Sequence, residues 1–144
     1  MPNILNISEA ASLALHAVVF LASNSDQPES TRAIASVLGV SEAHLSKVLQ
    51  RLTRAGLVRS TRGPRGGFTL ARPSEKMTLL EVYEAMDGAL TQSQCLLDKP
   101  ICGEAGCILG GLMPSINQQV SDYLAQTKVF ELADRFKKGG RNAA

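Results

Sequence analysis

Three cysteines, Cys95, Cys102 and Cys107, fall within the segment CLLDKPICGEAGC, and the chain of 144 residues has no other. Thiolates are the natural ligands of iron in a cluster and of zinc, and they are also the side chains most open to reversible oxidation. The gaps between them are six residues and then four, and Gly103 and Gly106 lie in the second gap. Such a segment can bend three sulfurs toward one centre. Three thiols leave three chemistries open: an iron–sulfur cluster, a structural zinc site with a fourth ligand, and a cluster-free switch that works by thiol oxidation. An odd number argues against a set of structural disulfides. The N-terminus has no basic stretch followed by an apolar core, and the longest apolar run, Leu13 to Ala22, is broken by His16. The expectation is therefore a cytoplasmic protein, with no membrane segment, whose thiols are kept reduced. A thiol enzyme would need a positioned base, yet neither His16 nor His44 lies in a recognisable catalytic motif. Nor does a Gly-rich nucleotide loop occur outside residues 63–67, so no enzyme is expected.

Charge is unevenly distributed around this cysteine segment. From Ser30 to Pro73 the chain has Arg32, Lys47, Arg51, Arg54, Arg59, Arg62, Arg65 and Arg72 against one acid, Glu42, a net of +7. The remainder has seven basic and twelve acidic residues, a net of −5. Clustering of this kind is the electrostatic footprint of a surface for nucleic acid, where each cation can neutralise a phosphate.

The elements that must position these groups can be read from periodicity and caps. Ser8 and the spacing of Leu13, Ala14, Ala17, Val18 and Leu21 predict a helix over 8–23. STRAIASVLG predicts a short helix closed by Gly39, and a Ser41 cap opens a second amphipathic helix carrying Leu45, Val48, Leu49 and Leu52 as far as Gly56. A short helix, a glycine turn and a capped helix make a helix-turn-helix. LVRSTRGPRGGFTLARP then reads as a strand over 57–62, a turn at 63–67 and a return strand through Phe68 and Leu70, a basic β-wing. A further helix is expected over 78–87. Beyond the cysteines, Leu112, Ile116, Val120, Tyr123 and Leu124 form an apolar stripe on a long helix that starts or kinks at Pro114, and a last short helix spans 129–136.

The order of these motifs resembles the IscR, NsrR and CymR family of bacterial transcription regulators. The resemblance runs through ALHAVVFLA, GVSEAHLSKVLQRLTRAGLVRSTRGPRGGFTLAR, TLLEVYEAMDG and the three-cysteine loop before the long helix, nearly the whole chain. Its most specific part is GLVRSTRGPRGGFTLAR. It implies a mainly α fold, a winged helix-turn-helix with a two-stranded wing and a long C-terminal dimerisation helix, acting as a homodimeric DNA-binding repressor. In cluster-binding members three cysteines and one other residue hold the cluster, 2Fe-2S or 4Fe-4S, which responds to redox state, nitric oxide or iron–sulfur supply. On this basis Cys95, Cys102 and Cys107 are expected metal ligands. Alignment to the family places its first-helix histidine ligand on His16 and its acidic ligand position on Ser12; the histidine that some relatives have beyond the third cysteine is here Gly110. Glu9, Ser12 and His16 share a helix face, but Glu9 and His16 differ by about 10 Å in rise, so only one can serve a small cluster. His16 is the expected fourth ligand, with Glu9 second.

On the DNA side, Ser41, Ala43, His44, Ser46 and Lys47 are expected to face the major groove, Arg51 and Arg54 to meet phosphate, and Arg59, Arg62 and Arg65 to serve the wing. Ser46 stands where one relative has a glutamate that tunes site choice, so that preference does not transfer. The expected organisation is a DNA-binding domain over 1–88 with its wing at 57–72, a cluster-binding loop over 89–110, the dimerisation and C-terminal helices over 111–137, and a tail over 138–144.

Overall fold

Helix boundaries in this chain follow its capping chemistry. The structure, a computed structural model, describes residues 5–90 and 95–136; the tail expected over 138–144 lies outside them. Ser8, Ser30 and Ser41 are extended and accept the backbone N–H of Ala11, Ala33 and His44, satisfying orphan donors at the starts of α1 (Glu9–Ser23), α2 (Thr31–Leu38) and α3 (Glu42–Arg54). Gly39 takes φ +70 at the end of α2, which turns the chain into Ser41. Strands β1 (Val58–Thr61) and β2 (Gly67–Leu70) pair antiparallel with Val58 opposite Leu70 and Thr61 opposite Gly67. Helix α4 (Leu79–Asp87) starts in a reciprocal capping box between Thr78 and Glu81, and α5 (Leu112–Gln126) is followed by a 3-10 segment, Val129–Phe136.

The core is built around α1, whose Ala11, Ala14, Ala17 and Val18 are wholly buried. Small side chains let neighbours approach from several sides: α4, α3, β2 and the 3-10 segment all pack on it. Ile34 of α2, the Leu45, Val48, Leu49 and Leu52 face of α3, and Val82 and Met86 of α4 complete one continuous cluster. Two backbone bonds, Leu79 N–H to Thr127 O at 3.1 Å and Val129 N–H to Met77 O at 2.8 Å, return the chain from α5 to the base of α4. Phe136 then meets Phe20 edge-on at 5.9 Å.

The long helix begins at Leu112, two residues before Pro114. The proline occupies the first turn of α5, where a missing N–H costs no helical hydrogen bond. The apolar stripe is only partly covered by the chain itself: Leu124 is buried and Val120 packs on the core, while Leu112 and Tyr123 stay exposed. The last helix is wound as 3-10 rather than α. Among the described residues no helix is long and apolar enough to cross a membrane.

Arg72, at the foot of the wing, donates to the Glu81 carboxylate at 2.9 Å. Burial by itself raises the Glu81 pKa, but the Thr78 backbone N–H and the Arg72 guanidinium outweigh it and hold the group below its ordinary 4.5. A lowered folded-state pKa stabilises above the unfolded value and is lost as pH falls through the folded one. Because both side chains are about 40% exposed, screening keeps the effect small. Glu81→Gln retains the capping box and removes the charge. In urea titrations it should cost roughly 0.5–1 kcal/mol at pH 7, and the gap from wild type should close as pH falls through the lowered Glu81 pKa; a gap independent of pH would contradict this assignment.

Candidate nucleic-acid interface and metal centre

The inner face of α3 is fixed by four buried aliphatic residues, so its outer face is defined by elimination. Ala43, Lys47, Gln50, Thr53 and Arg54 are exposed there, beside the cap Ser41, while His44 and Ser46 are half-buried. His44 turns toward the start of α1, its Nδ1 3.8 Å from Glu9 Oε1. Gln50 donates to Ser46 Oγ at 3.4 Å. Gln50, which is not among the residues expected from the sequence to face DNA, lies seven residues beyond Ala43 on the same helical face. Its amide is of the kind that reads adenine in a major groove. Arg51, also expected at phosphate, directs its guanidinium to the carbonyls of Met86 and, at 3.5 Å, Ala85 at the end of α4.

The wing is stitched to the segment before α2. Glu29 and Phe68 exchange two backbone bonds, 3.1 and 2.8 Å long. This close approach explains Gly67, and the tightness of the wing turn itself explains Gly66. A Cβ on Gly67 would lie 2.4 Å from the Glu29 carbonyl oxygen, and one on Gly66 would lie 2.1 Å from that of Thr61. Gly67 also holds φ +152, whereas Gly66 is required by space alone. Arg59 projects from β1 opposite Thr69, and Arg62 and Arg65 flank the turn. Among the described residues, Lys47, Arg54, Arg59, Arg62 and Arg65 are exposed and none makes an ion pair with a carboxylate.

Cys95 and Cys107 are half-buried and Cys102 is exposed, and none is in a disulfide. Two of the sulfurs accept backbone N–H groups: Leu97 donates to Cys95 Sγ and Leu109 to Cys107 Sγ, each at 3.4 Å. Bonds of this kind favour thiolate charge and tune cluster potentials. The segment has no helix or strand from Cys95 to Gly111, and turns closed at Gly106 and Gly110 shape it. By donor type it suits a sulfur-ligated metal. Among the described residues, however, no three His, Cys, Asp or Glu side chains are gathered as a metal-holding group. His16 is exposed on α1, with Nδ1 2.6 Å from Ser12 O, and lines an apolar groove of about 520 Å³ with Leu15, Tyr123 and Phe136. Among the described residues His16 therefore belongs to no three-ligand group with the cysteines.

A glycine-turned pair of helices, the second capped and cationic on its outer face, followed by a two-stranded wing, defines a winged helix-turn-helix protein. Comparison with known proteins makes the assignment specific: residues 7–135 match the Rrf2 family, described as "Iron-dependent Transcriptional regulator", and the chain belongs to that family. It is a transcriptional regulator of helix-turn-helix type and not an enzyme. A protein of Aquifex aeolicus (strain VF5), named as an HTH-type transcriptional regulator, is 32% identical over 128 residues, covering 87% of this chain and 89% of its own. The regulator IscR of Xenorhabdus nematophila is 29% identical over 94 residues, covering 65% and 57%. Among solved structures, CymR, the global cysteine regulator of B. subtilis, superposes with a TM-score of 0.72 at 25% identity over 94% of this chain and 98% of its own.

Gly67→Ala should break the contact with Glu29 and free the wing. Urea unfolding is expected to show a loss of about 2–4 kcal/mol, accompanied by faster proteolysis between Thr61 and Phe68. Unchanged stability would mean that the Glu29 pairing contributes nothing.

Proposed function

We propose that this regulator is a homodimeric, operator-binding repressor whose hold on DNA is controlled by an iron–sulfur cluster ligated by Cys95, Cys102 and Cys107, with His16 of the partner subunit as fourth ligand. One observation carries the reading: all three thiols sit in one irregular segment with two N–H···S bonds already made, appended to a winged helix of a family described as iron-dependent. The solvent exposure of His16 on α1 suits donation to a second copy. Leu112 and Tyr123, exposed on α5, give the second copy an apolar surface to cover.

In this reading Ser41, Ala43, His44, Ser46, Lys47 and Gln50 present the major-groove surface, Arg54 neutralises backbone phosphate, and Arg59, Arg62 and Arg65 act from the wing. A bound cluster supplies a group whose charge and integrity respond to oxidant, nitric oxide or iron supply. The loop leaves α4 at Gly88 and enters α5 at Leu112, so ordering it constrains the relation between the DNA-binding half and the C-terminal helix. Such control requires different free energies for operator binding in the two loop states. The exposure of Cys102 favours a second reading, in which thiol oxidation alone sets the loop.

Protein purified without oxygen should show visible charge-transfer bands with matching iron and acid-labile sulfide. Cys102→Ser should abolish them and His16→Ala should weaken or abolish them. Cluster-loaded and cluster-free wild type should differ in operator affinity by about 5- to 150-fold at matched salt; equal affinities would defeat the control mechanism. A colourless protein after reconstitution whose operator binding follows reversible thiol oxidation would establish the second reading instead.

A further inference from the structure

The last turn of α4 is the meeting point of three parts of the molecule. Its terminal carbonyls have no donors within the helix, and Arg51 of α3 brings its guanidinium to those of Met86 and Ala85. From the other side Ser8, the cap of α1, donates both its hydroxyl and its backbone N–H to the Asp87 carboxylate. Gly88 then leaves the helix with φ +79, and the chain proceeds toward the cysteine loop. Arg51 and Arg54 both lie in the last turn of α3, but they face different neighbours: Arg54 makes no ion pair or side-chain hydrogen bond among the described residues, whereas Arg51 reaches 35 residues along the chain.

We propose that Arg51 is a positioning residue that couples the cysteine loop to the recognition helix, its guanidinium engaged on the C-terminal carbonyls of α4 rather than on DNA phosphate. The chemistry is specific. A positive charge is favourable at the negative end of a helix, and the planar fork of arginine can address two adjacent carbonyls where a lysine ammonium addresses one. Because α3 presents the DNA-contacting surface, a shift in the last turn of α4 is carried by Arg51 to that surface. The brace itself stands on the hydrogen bonds alone; the coupling to the loop rests on the loop-controlled operator binding proposed above.

The test is operator binding by fluorescence anisotropy over a salt series, with the full chain as wild type, Arg51→Gln, Arg51→Lys and Arg54→Ala, together with amide hydrogen exchange without DNA. Arg51→Gln should weaken operator binding by about tenfold, keep the wild-type salt slope, and speed exchange of the amides at residues 86–88. Arg51→Lys, which preserves the charge but not the fork, should restore binding only in part. Arg54→Ala should lower the salt slope by about one, as loss of a phosphate contact does. A slope lowered by about one in Arg51→Gln, with unchanged exchange in α4 and full rescue by lysine, overturns the brace. The second readout is the affinity ratio between cluster-loaded and cluster-free protein, which should fall toward one in Arg51→Gln; a ratio kept at the wild-type value overturns the coupling. A wild-type ratio of one sinks the loop-control reading and the coupling with it, while slope and exchange still decide the brace.

Discussion

Burial of α1 on nearly every side is the constraint on which the rest of the structure depends. Eight of its fifteen residues are buried, and the helix is apolar around most of its circumference, so it belongs in the middle of a fold rather than on its surface. The alanines at 11, 14 and 17 keep it thin enough for α3, α4, β2 and the C-terminal 3-10 segment to reach it together. Apart from Ser23 in its last turn, what remains polar is a narrow seam: Glu9, Ser12 and His16. The seam is already partly engaged, Glu9 toward His44 and Ser12 through its carbonyl to the His16 ring. A helix whose main task is to be the core thus exposes only a few side chains through which anything outside can address it.

Much of this was legible in the sequence because the signals are local. Serine caps act on amides three residues on, Gly39 closes its own helix, and the alternation around a Gly-rich turn describes a hairpin without reference to the rest of the chain. The features that escaped are those whose cause lies far away in sequence. Arg51 looks like any cation on an outer helix face until α4 arrives from 35 residues later. Gly66 and Gly67 look like flexible turn residues, yet one clears the Thr61 carbonyl and the other the Glu29 carbonyl. The return of the chain after α5, pinned by backbone bonds to Met77 and Leu79, has no composition signal at all.

The thiols illustrate the same division. Their number and spacing are a property of the sequence, and so is their suitability as ligands. Their assembly is not: the described residues hold two of the sulfurs through local N–H donors, while no three ligating groups converge. In many metal sites ligand geometry and metal binding form together, so a chain can carry the donor types without holding them in place beforehand. The loop also exposes Ile101 and Ile108, 78% and 83% accessible, an apolar content that a solvated linker would not need.

The pairing of Glu29 with Phe68 has a consequence beyond the wing. Those two backbone bonds close a ring of chain that begins before α2 and ends in β2, with the whole helix-turn-helix inside it. Closing such a ring removes the freedom of the helices to swing independently of the hairpin. The helix-turn-helix and the hairpin are thereby tied into one closed frame, so a displacement of either is passed on to the other.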